Sequence, residues 1–407
     1  MTSPGTLNRP IVTVFVGAVL ALSSGTSPQA EQNAVAAAPA CADGGECLCD
    51  SSYQDCRSSI LQLINNETVG IDVSFWFMTD WRYSSALIKR WQAGVPVRII
   101  LDTQADPTYG GNKAVRDTLV NAGIPIRYYR GPGINHWKMM LFAGQGKVEF
   151  SAANYADGSY SPSPLTAPYT NYVDEVIYFT DDPAIVNSFL TKFDDQWVDA
   201  TTFLNFANIT TPLVRNYATY PVSTDLNFPP DQHFENRLAS QIQYENRQID
   251  AVIFRITSAK IPDALIARHR AGVRVRVITE EQQYRTPTKM WDAYNVDRMY
   301  MAGIPIKVKD NTTDQDVHQK SIVLYSRGLA PIGSRAPLVV FGSSNWTTSS
   351  STTQEEHNYF TNKNWIFQWW SMARRSASRC TCRSRRCRLR LPSTLRLRTT
   401  HSDSARR

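Results

Sequence analysis

Most of this 407-residue chain carries no excess of positive charge. The formal net charge is +7, but residues 373–407 hold 12 Arg against one Asp, and removing that +11 leaves −4 for the rest. A mildly acidic body exerts no general pull on a polyanion, so phosphate recognition must come from a few placed side chains. A membrane-spanning run is also missing. The apolar stretch 11–22 is too short to cross a bilayer; with Arg9 before it and small residues after it, it reads as an export signal, cleaved after Ala30 or within 34–40. The expected localisation is therefore secreted or periplasmic. Histidine is absent from the segment where cysteines crowd. Cys41, Cys47, Cys49 and Cys56 fall within sixteen residues with no His among them, which in an exported chain indicates two disulfides rather than a zinc site, their pairing left open by the sequence.

What the chain does have is length for two domains and a repeat. Ala93-Gly-Val-Pro-Val-Arg-Ile returns as Ala271-Gly-Val-Arg-Val-Arg-Val, and Ala122-Gly-Ile-Pro-Ile-Arg as Ala302-Gly-Ile-Pro-Ile-Lys. His136-Trp-Lys138 is matched by His318-Gln-Lys320, and Glu175-Val-Ile-Tyr-Phe-Thr by Glu356-His-Asn-Tyr-Phe-Thr. Four matches in one order, offset by about 180 residues, mean a duplicated domain. Each copy predicts a helix (58–65; 234–244), a strand (69–77; 248–256), a helix closed by Ala-Gly (84–92; 262–270) and a β-branched strand (95–101; 273–279). A further helix, a second Ala-Gly stop and a short strand then lead to the H-x-K. This grammar is that of an α/β fold with a parallel or mixed sheet. The expected organisation is 1–40 as signal and spacer, 41–204 as the first domain, 205–230 as a linker without period, 231–372 as the second domain, and 373–407 as an Arg-rich tail.

His136 and Lys138 lie two apart in an apolar stretch, so a strand there would put both on one face. Asn154 ends the next strand-like run and Glu175 begins a third; the second copy supplies His318, Lys320, Asn345 and Glu356, with Ser343 before its Asn. This set suits phosphodiester cleavage without a metal or other cofactor. One neutral His attacks phosphorus, the other donates a proton to the departing oxygen. Lys and Asn stabilise the charge on the equatorial oxygens, and a Glu on the far ring nitrogen orients a His. An isolated H-x-K arises easily by chance; its recurrence at matched repeat positions, followed by Asn and Glu, does not. His233, His269 and His357 have no repeat partner and read as surface or core residues. Asp102 and Asp106 follow a strand that could open toward the cleft, but loop carboxylates are usually solvated, and they are left without an assigned role.

Together these residues resemble the phospholipase D superfamily, marked by H-x-K-x4-D and G-S-x-N twice per active site with a downstream Glu. The second copy keeps His318, Lys320, Gly342, Ser343, Asn345 and Glu356; the first keeps His136, Lys138, Asn154 and Glu175 but has Ser151 and Ala152 in place of Gly and Ser. The motif Asp is replaced by Ala143 and Tyr325. The resemblance implies duplicated phospholipase D-like domains, each a mixed β-sheet flanked by helices, packed as a pseudo-two-fold pair. It further implies that His, Lys and Asn contact the phosphate, with Ser343 binding substrate, and that loss of the Asp affects strand geometry more than chemistry.

The leading functional expectation is a secreted, monomeric phosphodiesterase that acts on phospholipid headgroups by hydrolysis or transfer to an alcohol, with transient contact at a membrane surface. The alternative is an extracellular nuclease of the same superfamily, for which Lys89, Arg90, Arg98, Arg127 and Arg130 could line a cleft; a third reading is a non-catalytic phosphate-binding descendant. Aromatic segments 75–77 and 364–370 could face lipid, though core packing suits most of their rings. A closing helix after Glu356 should run to about residue 380, yet the pattern dissolves into Arg, Ser and Thr with three unpartnered cysteines. The tail is accordingly read as out of frame: resequencing the source DNA should show an insertion or deletion near codons 365–375, and an intact frame there overturns this.

Overall fold

The computed structural model describes residues 41, 45–169, 171–210, 220–284, 290–309, 316–328 and 336–378, with side chains through Ser371. The proposed export segment and residues 379–407 of the tail lie outside the described residues. The first half runs β1 (Cys47–Asp50), α1 (Cys56–Asn66), β2 (Ile71–Phe75), α2 (Trp81–Gln92), β3 (Val97–Leu101), α3 (Asn112–Asn121), β4 (Ile126–Tyr129), β5 (Lys138–Phe142), β6 (Lys147–Phe150), β7 (Val176–Thr180), α4 (Pro183–Val198) and β8 (Phe203–Ala207). The second runs β9 (Leu226–Asn227), α5 (Phe234–Ile242), β10 (Gln248–Ile253), α6 (Lys260–Arg270), β11 (Arg274–Glu280), α7 (Glu281–Tyr284), α8 (Met290–Met301), β12 (Ile306–Lys309), β13 (Lys320–Leu324), β14 (Leu338–Gly342), α9 (Thr348–Thr352), β15 (Asn358–Thr361) and α10 (Asn364–Ser378).

The duplication shows in the strand order. One sheet reads β7-β6-β5-β2-β3-β4 and the other β15-β14-β13-β10-β11-β12, with β1 and β8 added at the edges of the first and β9 at an edge of the second. In each, the βαβ crossovers make the first three strands of the copy parallel, and the remaining strands are antiparallel. The sheets are thus mixed and helix-flanked, as expected. Asp side chains cap α1, α2 and α4 by accepting a backbone N–H of the first turn. The four Ala-Gly stops place Gly94, Gly123, Gly272 and Gly303 at φ between +86° and +92°, the left-handed turn that ends a helix and that glycine adopts without strain.

Three apolar layers hold the molecule together. One lies between the first sheet and α1–α3, with Ile60, Ile64, Val73, Leu87 and Leu119; another lies between the second sheet and α5, α6 and α8, with Leu238, Ile249, Leu265, Val275 and Met299. The third joins the two halves through Trp137, Phe150, Tyr178, Phe189, Phe341, Tyr359 and Trp370. The aromatic segments considered as lipid-facing belong largely to these layers: Phe75, Phe77, Ile366 and Trp370 are buried. The disulfides pair Cys41 with Cys47 and Cys49 with Cys56.

Two expectations need correction. The segment 205–230 is not a plain linker, because β8 reaches Ala207 in pairing with β4 and β9 pairs with β15; strands this short leave no period to detect. The closing helix of the second copy does form, and α10 continues to Ser378, past the boundary placed at 372.

Buried charge is confined to supported places. Arg98, on β3, is clamped by Asp72 on β2 at 2.8 and 2.9 Å and by Asp194 on α4 at 2.7 Å. Arg98→Ala leaves Asp72 buried without its partner, so unfolding should become easier by about 3–5 kcal/mol in denaturant titration. Glu149, on β6, accepts from Tyr155 at 2.8 Å and from Tyr160 and Ser151 at 3.4 Å, and burial pushes its carboxyl up to about 8. The folded state then keeps a proton that the unfolded chain has released above pH 4.5, so its stability contribution falls as pH rises from about 4.5 to about 8. Against Glu149→Gln, which cannot ionise, the wild type should lose relative stability across that window and no further above it, as thermal unfolding at a series of pH values would show.

Candidate active site

The H-x-K motifs sit where β5 and β13 begin. Each strand starts at the lysine, so His136 and His318 precede the strands instead of lying within them as period two suggested. What fixes them is a contact with the opposite half. His136 N–H donates to Glu355 O at 2.9 Å and His318 N–H to Asp174 O at 3.2 Å, with Asn135 bridged to Glu355 and Asp174 to Val317. The side chains cross in the same way: His136 Nδ1 lies 2.9 Å from Glu356 Oε2, and His318 Nδ1 is paired with Glu175 Oε1. Each histidine therefore takes its carboxylate from the other copy, which leaves Nε2 as the reactive nitrogen.

The lysines follow their histidines. Lys138 Nζ donates to His136 O at 2.7 Å and Lys320 Nζ to His318 O at 2.6 Å; Lys320 also lies 3.0 Å from His318 Nε2. Asn154 is buried and Asn345 half-buried, and the amide oxygen of each has no hydrogen-bond partner. Turning either amide by 180° presents two N–H donors to a ligand oxygen. The structure thus brings His136, Lys138, Glu175, His318, Lys320 and Glu356 together, with Asn154 and Asn345 each two positions after a residue, Ala152 or Ser343, whose backbone hydrogen-bonds the histidine of the opposite half. Ser343 differs from the expectation of substrate binding: its hydroxyl is fully buried, accepting from His357 N at 3.0 Å and donating to His357 O at 3.3 Å. It orders the backbone beside Glu356 instead.

Burial dominates the site's electrostatics. It lowers both histidines well below their ordinary value, helped by Lys138 and Lys320 for His136 and by Lys320, Lys138 and His136 for His318. It also lowers Lys138 far below the usual lysine range and Lys320 to about 8, while the two glutamates pull the other way. Glu175 is pushed up to about 8 and Glu356 to about 7. The surroundings of the two carboxylates differ: the Ser343 and Ser350 hydroxyls favour the ionised form of Glu356, whereas Ala152 stands at the Ser343 position near Glu175. One oxygen of each, Glu175 Oε2 and Glu356 Oε1, has no hydrogen-bond partner.

Sequence reasoning missed the supports. Asp102 Oδ2 accepts from Asn135 N at 2.9 Å and Glu280 Oε2 from Val317 N at 2.7 Å, so a buried carboxylate at the end of β3 or β11 holds the residue before each His. Asp102, left without a role by the sequence, is fully buried. The signal was available in the repeat, which puts an acid at both positions. His357 is a core residue, as expected, but its Nε2 accepts from Lys138 N at 3.2 Å, and burial lowers it to about 3. Its counterpart, Val176, could make no such bond.

Comparison with known proteins agrees with this geometry. The family model described as cardiolipin synthase, PLD-like domain, matches residues 60–197 and again 238–373. The mitochondrial cardiolipin hydrolase of Chlamydomonas reinhardtii is 28% identical over 122 residues, 30% of this chain and 47% of that protein. Phosphatidylserine synthase from Haemophilus influenzae Rd KW20 superposes with a TM-score of 0.59 at 11% identity, covering 84% of this chain and 87% of that one. Polyphosphate kinase from Porphyromonas gingivalis gives 0.54 at 13% identity, covering 80% and 49%. The chain thus spans about half the length of the hydrolase and of the kinase, and the two superpositions show the fold alone. With both copies of the domain matched in register with both H-x-K motifs, the chain belongs to the phospholipase D-like family described by the cardiolipin synthase domain.

Proposed function

We propose that the chain cleaves the headgroup phosphodiester of phospholipids through a phosphohistidine, passing the phosphatidyl group to water or to an alcohol. The observation that carries this is the crossed pair of His–Glu dyads, in which two imidazoles from different halves each take a carboxylate from the other half and each lie beside a lysine. The roles we assign rest on the hydroxyls beside one of the carboxylates. Glu356, whose ionised form the Ser343 and Ser350 hydroxyls favour, accepts Nδ1–H of His136 and leaves the Nε2 lone pair to attack phosphorus. Glu175, which burial raises with no hydroxyl opposing it, shares a proton within its dyad, and His318 delivers that proton from Nε2 to the departing oxygen. The P–N bond forms as the P–O bond to the headgroup breaks. The incoming water or alcohol then gives its proton back to His318 as its oxygen displaces His136. Lys138, Lys320, Asn154 and Asn345 would stabilise the equatorial oxygens, where charge accumulates.

A lipid substrate is favoured over nucleic acid because three of the five cations that kept a nuclease open are engaged elsewhere. Arg98 is locked between Asp72 and Asp194, Arg90 donates to Glu67 O, and Arg127 donates to Asp199 O and Phe203 O, while Lys89 and Arg130 are exposed. The names of the family and of the cardiolipin hydrolase point the same way. Export by residues 1–40, and therefore an extracytoplasmic site of action, is part of the proposal.

The full chain should release headgroup from phosphatidylcholine or cardiolipin vesicles in EDTA and leave plasmid DNA intact. His136→Asn and His318→Asn should each lower turnover by about 10³-fold or more. With labelled substrate, His318→Asn should still accumulate label on protein, whereas His136→Asn should not. Labelling of His136→Asn reverses the assigned roles; DNA nicking, or inertness toward both substrates by folded protein, overturns the lipid reading.

A further inference from the structure

We infer that Trp81, Met290, Trp291 and Tyr294 form a rim that seats the catalytic cleft on a lipid bilayer; this rests on the proposed phospholipid substrate and names the surface that meets it. Large apolar side chains are seldom left in water side by side. Here Met290 is 75% exposed, Trp291 67%, Tyr294 53% and Trp81 67%. Trp291 and Tyr294 pack edge to face at 6.0 Å, and Arg298 lies over the Tyr294 ring at 5.3 Å, so the group is an ordered patch on the first turns of α8.

Its position relative to the site follows from the repeat. In the second half, Asp292 Oδ1 accepts from Ile256 N at 2.6 Å, Ile256 is bridged to Trp346, and Trp346 follows Asn345. In the first half, Asn112 Oδ1 accepts from Met78 N at 2.9 Å, Met78 is bridged to Tyr155, and Tyr155 follows Asn154. Thr79 and Asp80, just ahead of Trp81, donate to Tyr155 O, as Thr257 and Ser258 donate to Trp346 O. Trp81 and the α8 patch are therefore joined by short, matching links to the two asparagines that flank the cleft, one from each half.

The same alignment shows that the fold does not require these side chains. The positions equivalent to Met290, Trp291 and Tyr294 are Gly110, Gly111 and Ala114, and the one equivalent to Trp81 is Ala259. Each half is built without large residues where the other exposes them, so the reason for them lies outside packing. Trp and Tyr favour the boundary between headgroups and acyl chains, where an apolar ring and a polar atom are both satisfied. Arg255, beside Ile256, reaches Asp292 at 3.7 Å through Nε and keeps its side chain 47% exposed, so the patch carries a cation at its edge although that cation is already paired. No described helix is long and apolar enough to cross a membrane, so the contact would lie on the surface.

The test measures binding apart from turnover. In a His136→Asn background, the full chain is sedimented with phosphatidylcholine vesicles, alone and with phosphatidylglycerol, and tryptophan emission is followed. Vesicle partitioning should fall at least ten-fold in Trp291→Ser/Tyr294→Ser and again on adding Trp81→Ser, with loss of the blue shift and unchanged melting. With His136 restored, the same variants should cleave monomeric short-chain phosphatidylcholine within two-fold of wild type. Unchanged partitioning overturns the inference, as does loss of a concentration-dependent dimer or of single-stranded DNA binding in place of vesicle binding. If wild type binds vesicles and the variants do not, yet no headgroup is ever released, the surface stands and the catalytic reading fails.

Discussion

The crossed His–Glu pairing is the constraint on which the rest depends. Because His136 is oriented by Glu356 and His318 by Glu175, neither half holds a complete dyad. The geometry is therefore only as accurate as the packing of one sheet against the other. That explains why the layer between the halves is so rich in rings. Trp137 follows His136, Phe341 and Tyr359 flank the Ser343–His357 contacts, and His357 sits among Trp137, Phe150 and Phe189 with centroids 5.5–5.9 Å away. Aromatic contacts of this kind fix relative orientation as well as burying area. A ring lowered to about 3 is neutral at working pH, so its acceptor nitrogen stays available to the Lys138 amide.

The duplicated parts of this molecule were the legible ones. Strand order, Ala-Gly stops and the His, Lys, Asn and Glu positions all occur twice, and repetition turns weak local signals into a reading of fold and site. Interactions created by folding were not legible. Nothing local says that Glu175 belongs to His318 rather than His136, or that Asp102 and Glu280 hold the residue before each His, since the partners are 143, 33 and 37 positions apart. Ser343 was expected to bind substrate, yet its hydroxyl bonds the His357 backbone, and a serine in G-S-x-N looks the same whether its hydroxyl faces a ligand or the neighbouring strand. The strands β8 and β9 escaped notice because they lie at sheet edges, where burial imposes little pattern.

The missing motif Asp is instructive in the same terms. Its two positions are Ala143, which packs beside the inter-sheet layer, and Tyr325, whose hydroxyl donates to Asp250 at 2.9 Å. Asp250 clamps Arg276 as Asp72 clamps Arg98, each joining the first two parallel strands of its copy. In the second copy the residue at the motif Asp position is therefore tied to a charged anchor on the adjoining strand; in the first, Ala143 is held by its backbone N–H, which donates to Gly70 O at 2.9 Å.

A gene duplication first yields two equal halves, and equal halves are a poor fit to a reaction whose two histidines must do opposite things. The departures from symmetry are informative for that reason. Ser343 against Ala152 gives Glu356 a hydroxyl that the Glu175 side lacks, and in the proposed mechanism that difference sets the nucleophile apart from the acid. His357 against Val176 adds a tie to the Lys138 amide that has no counterpart at Lys320. The exposed rings of α8 stand against Gly110, Gly111 and Ala114 in the other half, a difference that packing within either half does not require, so the two halves have diverged on their surfaces as well as around the two carboxylates.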